Sequence, residues 1–323
     1  MRQQMRMGLS VWLVLLLGCL RNAAIAQDLP QQKENTEKQH LEAISLFGDP
    51  LYRITFSSAQ EAKLTAQLKE AQQRYEAEPN DPDALIWYGR RLAYLWRYRE
   101  AVQVFSRGIK QFPNDARMYR HRGHRYITLR QFDRAIADLE KAAKLIQGQK
   151  DEIEPDGQPN KYNIPRSTLH SNIWYHLGLA YYLKGDFDNA LHAYRECFKV
   201  SKNDDMLCAT VDWLYMTLRR MGREEEARAV LEPIREDMEI LENTAYHRRL
   251  LMYKGLLSPD SLLNWQNAGE LDMATYGYGV GNWYYYNGDK EQARKIFEKV
   301  VAGRFWPAFG YIAAEADLRR WRR

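Results

Sequence analysis

The residues whose types and spacing could support chemistry are few. His121 and His124 lie three positions apart, so on a helix both imidazoles would share a face and could share a metal ion. No third ligand follows at a suitable spacing, and the sequence predicts neither a metal site nor a cofactor. Gly277, Gly279 and Gly281 partly match a dinucleotide fingerprint, but no predicted strand precedes them and the third glycine is one position early.

The sequence also lacks the compact motifs of common enzymes. His-Glu-x-x-His, Gly-x-Ser-x-Gly and the phosphate loop do not occur in the 323 residues. An enzyme would need a site that none of these motifs describes. We therefore expect a protein that is not an enzyme.

Two of the three cysteines are placed where a disulfide could form. Cys197 and Cys208 each lie about one helical turn from the polar loop 201–204, on consecutive predicted helices. This placement could bring their Cβ atoms within bonding range, and an oxidising compartment would permit the bond. The alternative is two buried thiols, because free cysteine is often buried.

The start of the chain has the features of an export signal. Arg2 and Arg6 precede the apolar run 9–17, and residues 24–26 fit the small-x-small pattern of a cleavage site. The apolar run is too short for a membrane-spanning helix, which needs about 20 residues. Residues 1–26 are therefore predicted to be a signal peptide. The mature chain would work in the periplasm or be secreted.

A lipid anchor is the competing interpretation of the same segment. Leu16, Leu17, Gly18 and Cys19 resemble a bacterial lipobox, which is cleaved before the cysteine and lipidated there, although leucine fits its second position poorly. Either form would act outside the cytoplasm, and the membrane would be contacted only through the anchor. The polar residues that follow lead us to expect a flexible leader over 27–58.

The net charge gives little support for a nucleic-acid partner. The chain carries +5, and residues 1–26 contain three arginines and no acid, so the predicted mature chain carries +2. The basic tail 319–323 could touch acidic lipid or protein, or be the solvated end of a helix whose dipole favours cations.

The sequence predicts helical hairpins over most of the chain, and segment 171–204 is the clearest of them. Its first helix carries an apolar stripe at i, i+3, i+4 and i+7, formed by Trp174, Leu177, Gly178 and Tyr181. Ala190, Tyr194 and Cys197 repeat that spacing on a second helix. Gly185 suits the left-handed position that ends the first helix, and Asp186 can cap the second.

This segment resembles a tetratricopeptide repeat, and so do several others. The resemblance implies an all-α, right-handed superhelical solenoid over 59–323. Its units are expected near 82–115, 116–146, 171–204, 208–241, 242–273 (degenerate) and 274–305, with an insertion at 147–168 and a capping helix at 306–321. We interpret the insertion, rich in Gly, Pro and charge, as a long loop that is either functional or a tolerated spacer.

The resemblance also implies which side chains line the inner groove, because particular first-helix positions face the concave side in this family. Carried over, those positions are Trp87, Arg90 and Tyr94, then Arg117, Arg120, His121 and His124, then Asn172, Tyr175, His176 and Tyr182, then Asp212, Arg219 and Arg220, and finally Tyr278, Asn282, Tyr285 and Tyr286. The set is basic and aromatic, although many of the aromatic side chains could instead pack between repeats.

Arginine offers bidentate contacts to carboxylates and tyrosine offers rigid contact area. We therefore expect a non-enzymatic scaffold that binds a protein or peptide partner, acidic or carboxylate-bearing, in the concave groove. A small-ligand or glycan binder using the tyrosine-rich groove is the alternative. Nucleic acid is not an expected partner.

Overall fold

The computed structural model describes residues 40–263 and 269–322. This part of the chain folds as a two-stranded antiparallel sheet followed by a succession of helical hairpins, the predicted helical-repeat solenoid. Within the same residues no helix is both long enough and apolar enough to cross a bilayer.

The elements are named in chain order. The strands are β1 (Leu41–Ile44) and β2 (Pro50–Tyr52). The helices are α1 (Ser58–Ala77), α2 (Pro82–Tyr94), α3 (Tyr98–Gln111), α4 (Ala116–Thr128), α5 (Phe132–Leu145), α6 (Leu169–Lys184), α7 (Phe187–Val200), α8 (Asp204–Arg220), α9 (Glu224–Ala229), α10 (Thr244–Tyr253), α11 (Pro259–Leu262), α12 (Glu270–Tyr286), α13 (Lys290–Val301) and α14 (Phe309–Trp321).

Side-chain caps begin the first helix of the three N-terminal hairpins. The Asp81 carboxylate accepts two main-chain N–H groups at the start of α2, and Asp115 accepts one at the start of α4. Thr168 and Ser171 form a reciprocal capping box at the start of α6. Each cap satisfies donors that have no partner inside the helix, so these starts are fixed locally by sequence.

The turn inside each hairpin needs a residue with positive φ. Gly185 (φ 86°) takes this position after α6 and Asp186 caps α7, which confirms both sequence predictions. Trp96 (φ 56°) and Arg130 (φ 60°) occupy the same position in the two earlier hairpins. A side chain costs roughly 1–2 kcal/mol there. Both side chains have long-range contacts that hold them: Trp96 packs on two aromatic rings before α14, and Arg130 bonds Glu315.

The core between hairpins is close-packed and aromatic. A Cβ on Gly178 would lie 2.8 Å from the Tyr194 ring, so only glycine lets α6 and α7 cross at this distance. Trp213 of α8 stacks between Tyr194 and Tyr278, at 6.4 and 5.8 Å between ring centroids. This ring stack joins α7, α8 and α12 across the array.

α14 lies inside the array, which corrects the prediction of a helix that only caps its end. All side chains from 310 to 318 are buried, and Glu315 and Asp317 have no exposed surface. The carboxylates can be buried because Arg130, at the end of α4, and Arg220, at the end of α8, bond to them. The helix is therefore enclosed by other repeats.

The prediction of a flexible leader over 27–58 is wrong for the described part of that segment. β1 and β2 form a hairpin whose Ala43 and Leu51 are buried. Glu42 accepts from Arg53 and from the main-chain N–H of Arg99 (3.1 Å), so it caps α3 from a distance. The polar composition of the leader concealed these two buried apolar side chains.

The later repeats are less regular than the predicted units. In the 208–241 unit the second helix, α9, has only six residues and is followed by turns. The degenerate unit has α10, which buries Leu250 and Leu251, and the four-residue α11, which buries Leu262. Trp265 of the same unit lies outside the described residues.

Candidate functional site

The first helices of the hairpins share one surface, the inner face, which holds most of the predicted groove residues. The insertion 147–168 crosses its N-terminal part, over α2, α4 and α6. We call this the insertion section. α14 crosses the rest, against α6, α8 and α12. We call this the helix section.

The insertion is tied at its base to the residues that lead into α6. Ile153 pairs with Thr168 in an isolated antiparallel bridge, and the Glu154 N–H donates to the Ser167 carbonyl at 3.0 Å. The Leu169 N–H donates to the Glu152 carbonyl at 2.8 Å. These bonds place residues 154–157 against the inner face.

The Glu154 carboxylate is the anchor of the insertion. It lies 3.0 Å from Arg120 Nη2, accepts from Asn172 Nδ2 at 3.1 Å and has Arg90 Nη1 at 4.0 Å. Burial lowers the pKa of Arg120, and the nearby Glu154 charge opposes that shift. The carboxylate therefore compensates an arginine that has little access to water.

The main chain after Glu154 is also held by arginines. Arg90 Nη2 donates to the Pro155 carbonyl at 2.8 Å, and Arg91 Nη1 donates to the Gly157 carbonyl at 3.0 Å. A Cβ on Gly157 would stand 1.8 Å from the Tyr94 hydroxyl, so this place accepts only glycine without a shift. The insertion section thus holds one carboxylate and two main-chain carbonyls of the insertion.

An open cleft of about 250 Å³ remains beside the insertion. Trp87 forms one wall, with the Arg90 guanidinium 4.4 Å above its ring. Arg117 forms another and is paired with Asp83 (2.5 Å) and Asp115 (2.6 Å). The part of the predicted groove that solvent reaches is therefore small.

In the helix section the predicted groove residues form a buried network. Arg220 bonds Asp317 of α14 and donates to Asn282 Oδ1 at 2.9 Å. The Tyr182 hydroxyl accepts from Asn282 Nδ2 (2.9 Å) and lies 2.7 Å from the Tyr278 hydroxyl, which donates to Asp317 at 3.0 Å. These side chains hold α14 and are not a free binding surface.

A histidine cluster lies where the two sections meet. The rings of His124 and His176 are 4.2 Å apart, and Phe309 of α14 packs on both. Burial, and to a smaller extent the neighbouring arginines, lowers the pKa of His121 and His124 well below the ordinary value. The same two causes lower the pKa of His176. Among the described residues no group of three His, Cys, Asp or Glu is arranged to hold a metal ion.

The remaining groove residues also have partners within the protein. Tyr175 bonds Tyr246, and Arg219 lies over the Tyr286 ring. Tyr285 stacks on Trp321, and Asp212 pairs with Arg249 at 2.9 Å. Because Tyr175 and Tyr182 are only 7% and 0% exposed, the tyrosine-rich surface expected for a glycan is largely inside the molecule.

Of the two alternatives for the cysteines, the structure has the buried thiols and not the disulfide. Cys197 and Cys208 are both free and buried. The Cys197 thiol contacts Thr210 Oγ1 at 3.2 Å, whereas the Cys208 thiol faces Met238 Sδ at 3.8 Å. The thiols point to different neighbours, and burial raises the pKa of each to about 12. Cys19, the possible lipidation site, lies outside the described residues.

Sequence reasoning missed the side chains that occupy the inner face. Glu154, Glu315 and Asp317 are the carboxylates that the arginines bind, and none was predicted as a site residue. The insertion offered a signal, because four acids fall within 151–156 and face arginine-rich helices. Glu315 and Asp317 offered another, since they interrupt an apolar helix.

Comparisons with known proteins agree on the repeat. Tetratricopeptide repeat family models match residues 116–148, 171–204 and 277–302. A BBSome complex member, BBS4 of Bos taurus, is 26% identical over 202 residues, which are 62% of this chain and 32% of that protein. The chain thus spans about a third of the length of this relative.

Two solved structures illustrate the structural similarity. One is YrrB, described as a TPR protein with an unusual peptide-binding site: 16% identity, TM-score 0.41, 72% of this chain and 91% of that chain. The other is MamA from Desulfovibrio magneticus RS-1: 19% identity, TM-score 0.41, 54% of this chain and 85% of that chain.

Proposed function

We propose that the chain, which contains tetratricopeptide repeats of the kind that serve as protein–protein interaction scaffolds, binds an acidic segment of a partner protein in the insertion section. In this structure the chain's own insertion occupies that place. A partner segment would exchange with it.

One observation carries the proposal: residues 154–157 are bound as a peptide ligand would be. Arg120 and Asn172 contact the carboxylate, and Arg90 contacts both the carboxylate and a main-chain carbonyl. Charged donors to a carboxylate and side-chain donors to the main chain are how an extended peptide is recognised with little dependence on its other side chains.

The insertion can be displaced because it buries little apolar surface. Ile153, Tyr162 and Ile164 are 66%, 53% and 47% exposed. Segments with few buried apolar contacts open at a small fraction of the free energy of global unfolding. A partner segment with the same carboxylate and carbonyl contacts would then replace the insertion without unfolding the repeats.

Displacement can be measured with a peptide that has the sequence of residues 151–160, which contains four acids and no base. The host is the chain with residues 151–166 replaced by a Gly/Ser linker of equal length. We expect the peptide to bind this host and to bind the unaltered chain at least about tenfold more weakly, because a tethered segment competes at an effective concentration near millimolar.

Two arginine pairs make a matched control in the linker host. Arg90→Ala/Arg91→Ala should abolish peptide binding, whereas Arg228→Ala/Arg235→Ala, which removes two exposed arginines outside the insertion section, should leave it unchanged. A peptide with Lys in place of Glu154 should not bind. The proposal would be overturned if Arg90→Ala/Arg91→Ala left peptide binding unchanged, or if the peptide did not bind the linker host.

We further propose that the protein acts outside the cytoplasm, on the basis of the signal-like residues 1–26. Removal at the site after Ala26 predicts a mature chain beginning at Gln27. Processing as a lipoprotein instead predicts a lipid-modified Cys19 at the N-terminus. Intact mass and N-terminal sequencing of protein from envelope and medium fractions distinguish the two, and an unprocessed cytoplasmic chain would contradict both.

A further inference from the structure

A second cleft, of about 770 Å³, lies outside the inner face. One side is formed by β1 and the turn after it, residues 42–48. The other is formed by α3 and the turn between α4 and α5, and Arg319 of α14 closes one end. None of its lining residues belongs to the smaller cleft of the insertion section.

The cleft has an excess of unpaired positive charge. Arg99, Arg134 and Arg319 are exposed, and in the described part of the chain none forms an ion pair with a carboxylate. Arg99 donates to the main-chain carbonyl of Glu42 at 2.8 Å, and Arg134 donates to the neutral Gln131 side chain at 2.9 Å. Their charges remain available to a ligand.

The acids close to the cleft are already engaged. The Glu42 carboxylate accepts from Arg53 at 2.8 Å and from the Arg99 N–H at 3.1 Å. Arg130, the fourth arginine of the lining, is buried and paired with Glu315 at 2.9 Å. Asp49 lies in the β1–β2 turn beside Ser45 and does not line the cleft.

Apolar side chains form the rest of the lining. Val102, Tyr126 and Leu129 lie on the helical side, and Ile44, 45% exposed, lies on the strand side. A ligand that fits must offer apolar groups beside its negative charges. A recessed cleft with both features suits a polypeptide segment better than a flat lipid surface, whose headgroups present charge in one plane.

From this geometry we infer that the cleft along β1 is a second docking site, and that its occupant is a segment of a partner protein in which carboxylate side chains alternate with apolar ones. The carboxylates bind Arg99, Arg134 and Arg319, and the apolar side chains pack on Val102 and Tyr126. This site is independent of the insertion section, so a scaffold with both would hold two acidic segments at once.

The test uses the full chain and a labelled peptide, acetyl-Glu-Leu-Asp-Val-Glu-amide, in fluorescence anisotropy. Arg134→Glu/Arg319→Glu should weaken binding about tenfold or more, since each arginine loses a charge-assisted bond and becomes repulsive. Lys63→Glu/Lys69→Glu makes the same charge change on α1, away from the cleft, and should change the affinity less than about twofold. The peptide acetyl-Lys-Leu-Lys-Val-Lys-amide should not bind.

Gln103→Trp provides a variant without a charge change. Gln103 is exposed and lines the cleft, so a tryptophan there should block the peptide while thermal unfolding stays unchanged. Equal weakening by the α1 pair, or binding that survives Gln103→Trp, would overturn the inference. So would arginine-dependent binding to phosphatidylserine vesicles in the absence of peptide binding, which would assign the surface to a membrane.

Discussion

The insertion section and the helix section are built from the same kind of repeat, yet the carboxylates that pair with their arginines come from different kinds of segment. In the insertion section the carboxylate comes from Glu154, on a loop whose apolar side chains are mostly exposed. In the helix section it comes from Asp317, on a helix whose residues 310–318 are all buried. The arginines of the two sections are therefore paired with segments that differ in how much of their apolar surface is buried.

Removing the carboxylate of the helix section should have the largest effect on stability. Asp317→Ala leaves Arg220 buried without its partner and also removes an acceptor of the Tyr278 hydroxyl. We expect the free energy of unfolding to fall by about 3–5 kcal/mol, the usual cost of breaking a buried ion pair from one side. Urea denaturation followed by circular dichroism measures the loss.

A matched control is Asp133→Ala, which removes a surface carboxylate paired with Lys184 at 2.6 Å. The Asp133 side chain is 84% exposed, and such pairs contribute little because water screens them. If Asp317→Ala were as mild as this control, α14 would not be held by the buried network.

Acid should loosen the junction between the two sections. The buried imidazoles of His121, His124 and His176 have lowered pKa values, so as pH falls through about 6.5 the unfolded chain takes up protons before the folded one. Stability should be level above about pH 7 and fall by up to about 1.4 kcal/mol per pH unit for each group below it. Burial raises the pKa of Asp212 to about 7, which acts in the opposite direction between about pH 4 and 7 and offsets part of the loss.

Thermal unfolding measured from pH 7.5 to pH 5 tests this dependence. His124→Phe keeps a ring against Phe309 and should reduce the slope by about half, since it removes one of the three imidazoles with lowered pKa while Asp212 already offsets about one of them. His192→Gln, at an exposed position, should leave the slope unchanged. An unchanged slope in His124→Phe would mean that groups outside the histidine cluster cause the pH dependence.

The smallest expected effect is in the insertion section. Glu154→Gln keeps the shape of the side chain but removes the charge opposite Arg120. We expect the free energy of unfolding to fall by only about 1–2 kcal/mol, because the freed arginine regains access to water as the loop opens. Limited proteolysis should then cleave within 156–162 first, with the repeats intact. Cleavage that follows only global unfolding would make the insertion a permanent part of the core.

The sequence allowed the repeats to be predicted because their determinants are local. Gly185 and Asp186 end one helix and cap the next through neighbouring atoms, and both were identified from spacing alone. The contents of the inner face could not be predicted in the same way. Arg130 and Glu315 are 185 positions apart, and their pairing depends on how many repeats wrap around α14.

The candidate site was predicted in part for the same reason. Trp87, Arg90, Arg120 and Asn172 were assigned from the positions that face inward in each repeat, and the structure does bring them together around one extended segment. That the segment belongs to the chain itself was not foreseen. The insertion has no periodicity, and only its charge indicated a place beside the arginines.

Hydrogen–deuterium exchange of the full chain under native conditions tests the central difference most directly. Main-chain amides in 151–166 should exchange through local opening, roughly a hundredfold faster than those in 310–318, which corresponds to a gap of about 3 kcal/mol in opening free energy. Residues 310–318 should exchange only with global unfolding. Equal protection of the two segments would contradict the account, because the insertion would then be as permanent an occupant of the inner face as α14.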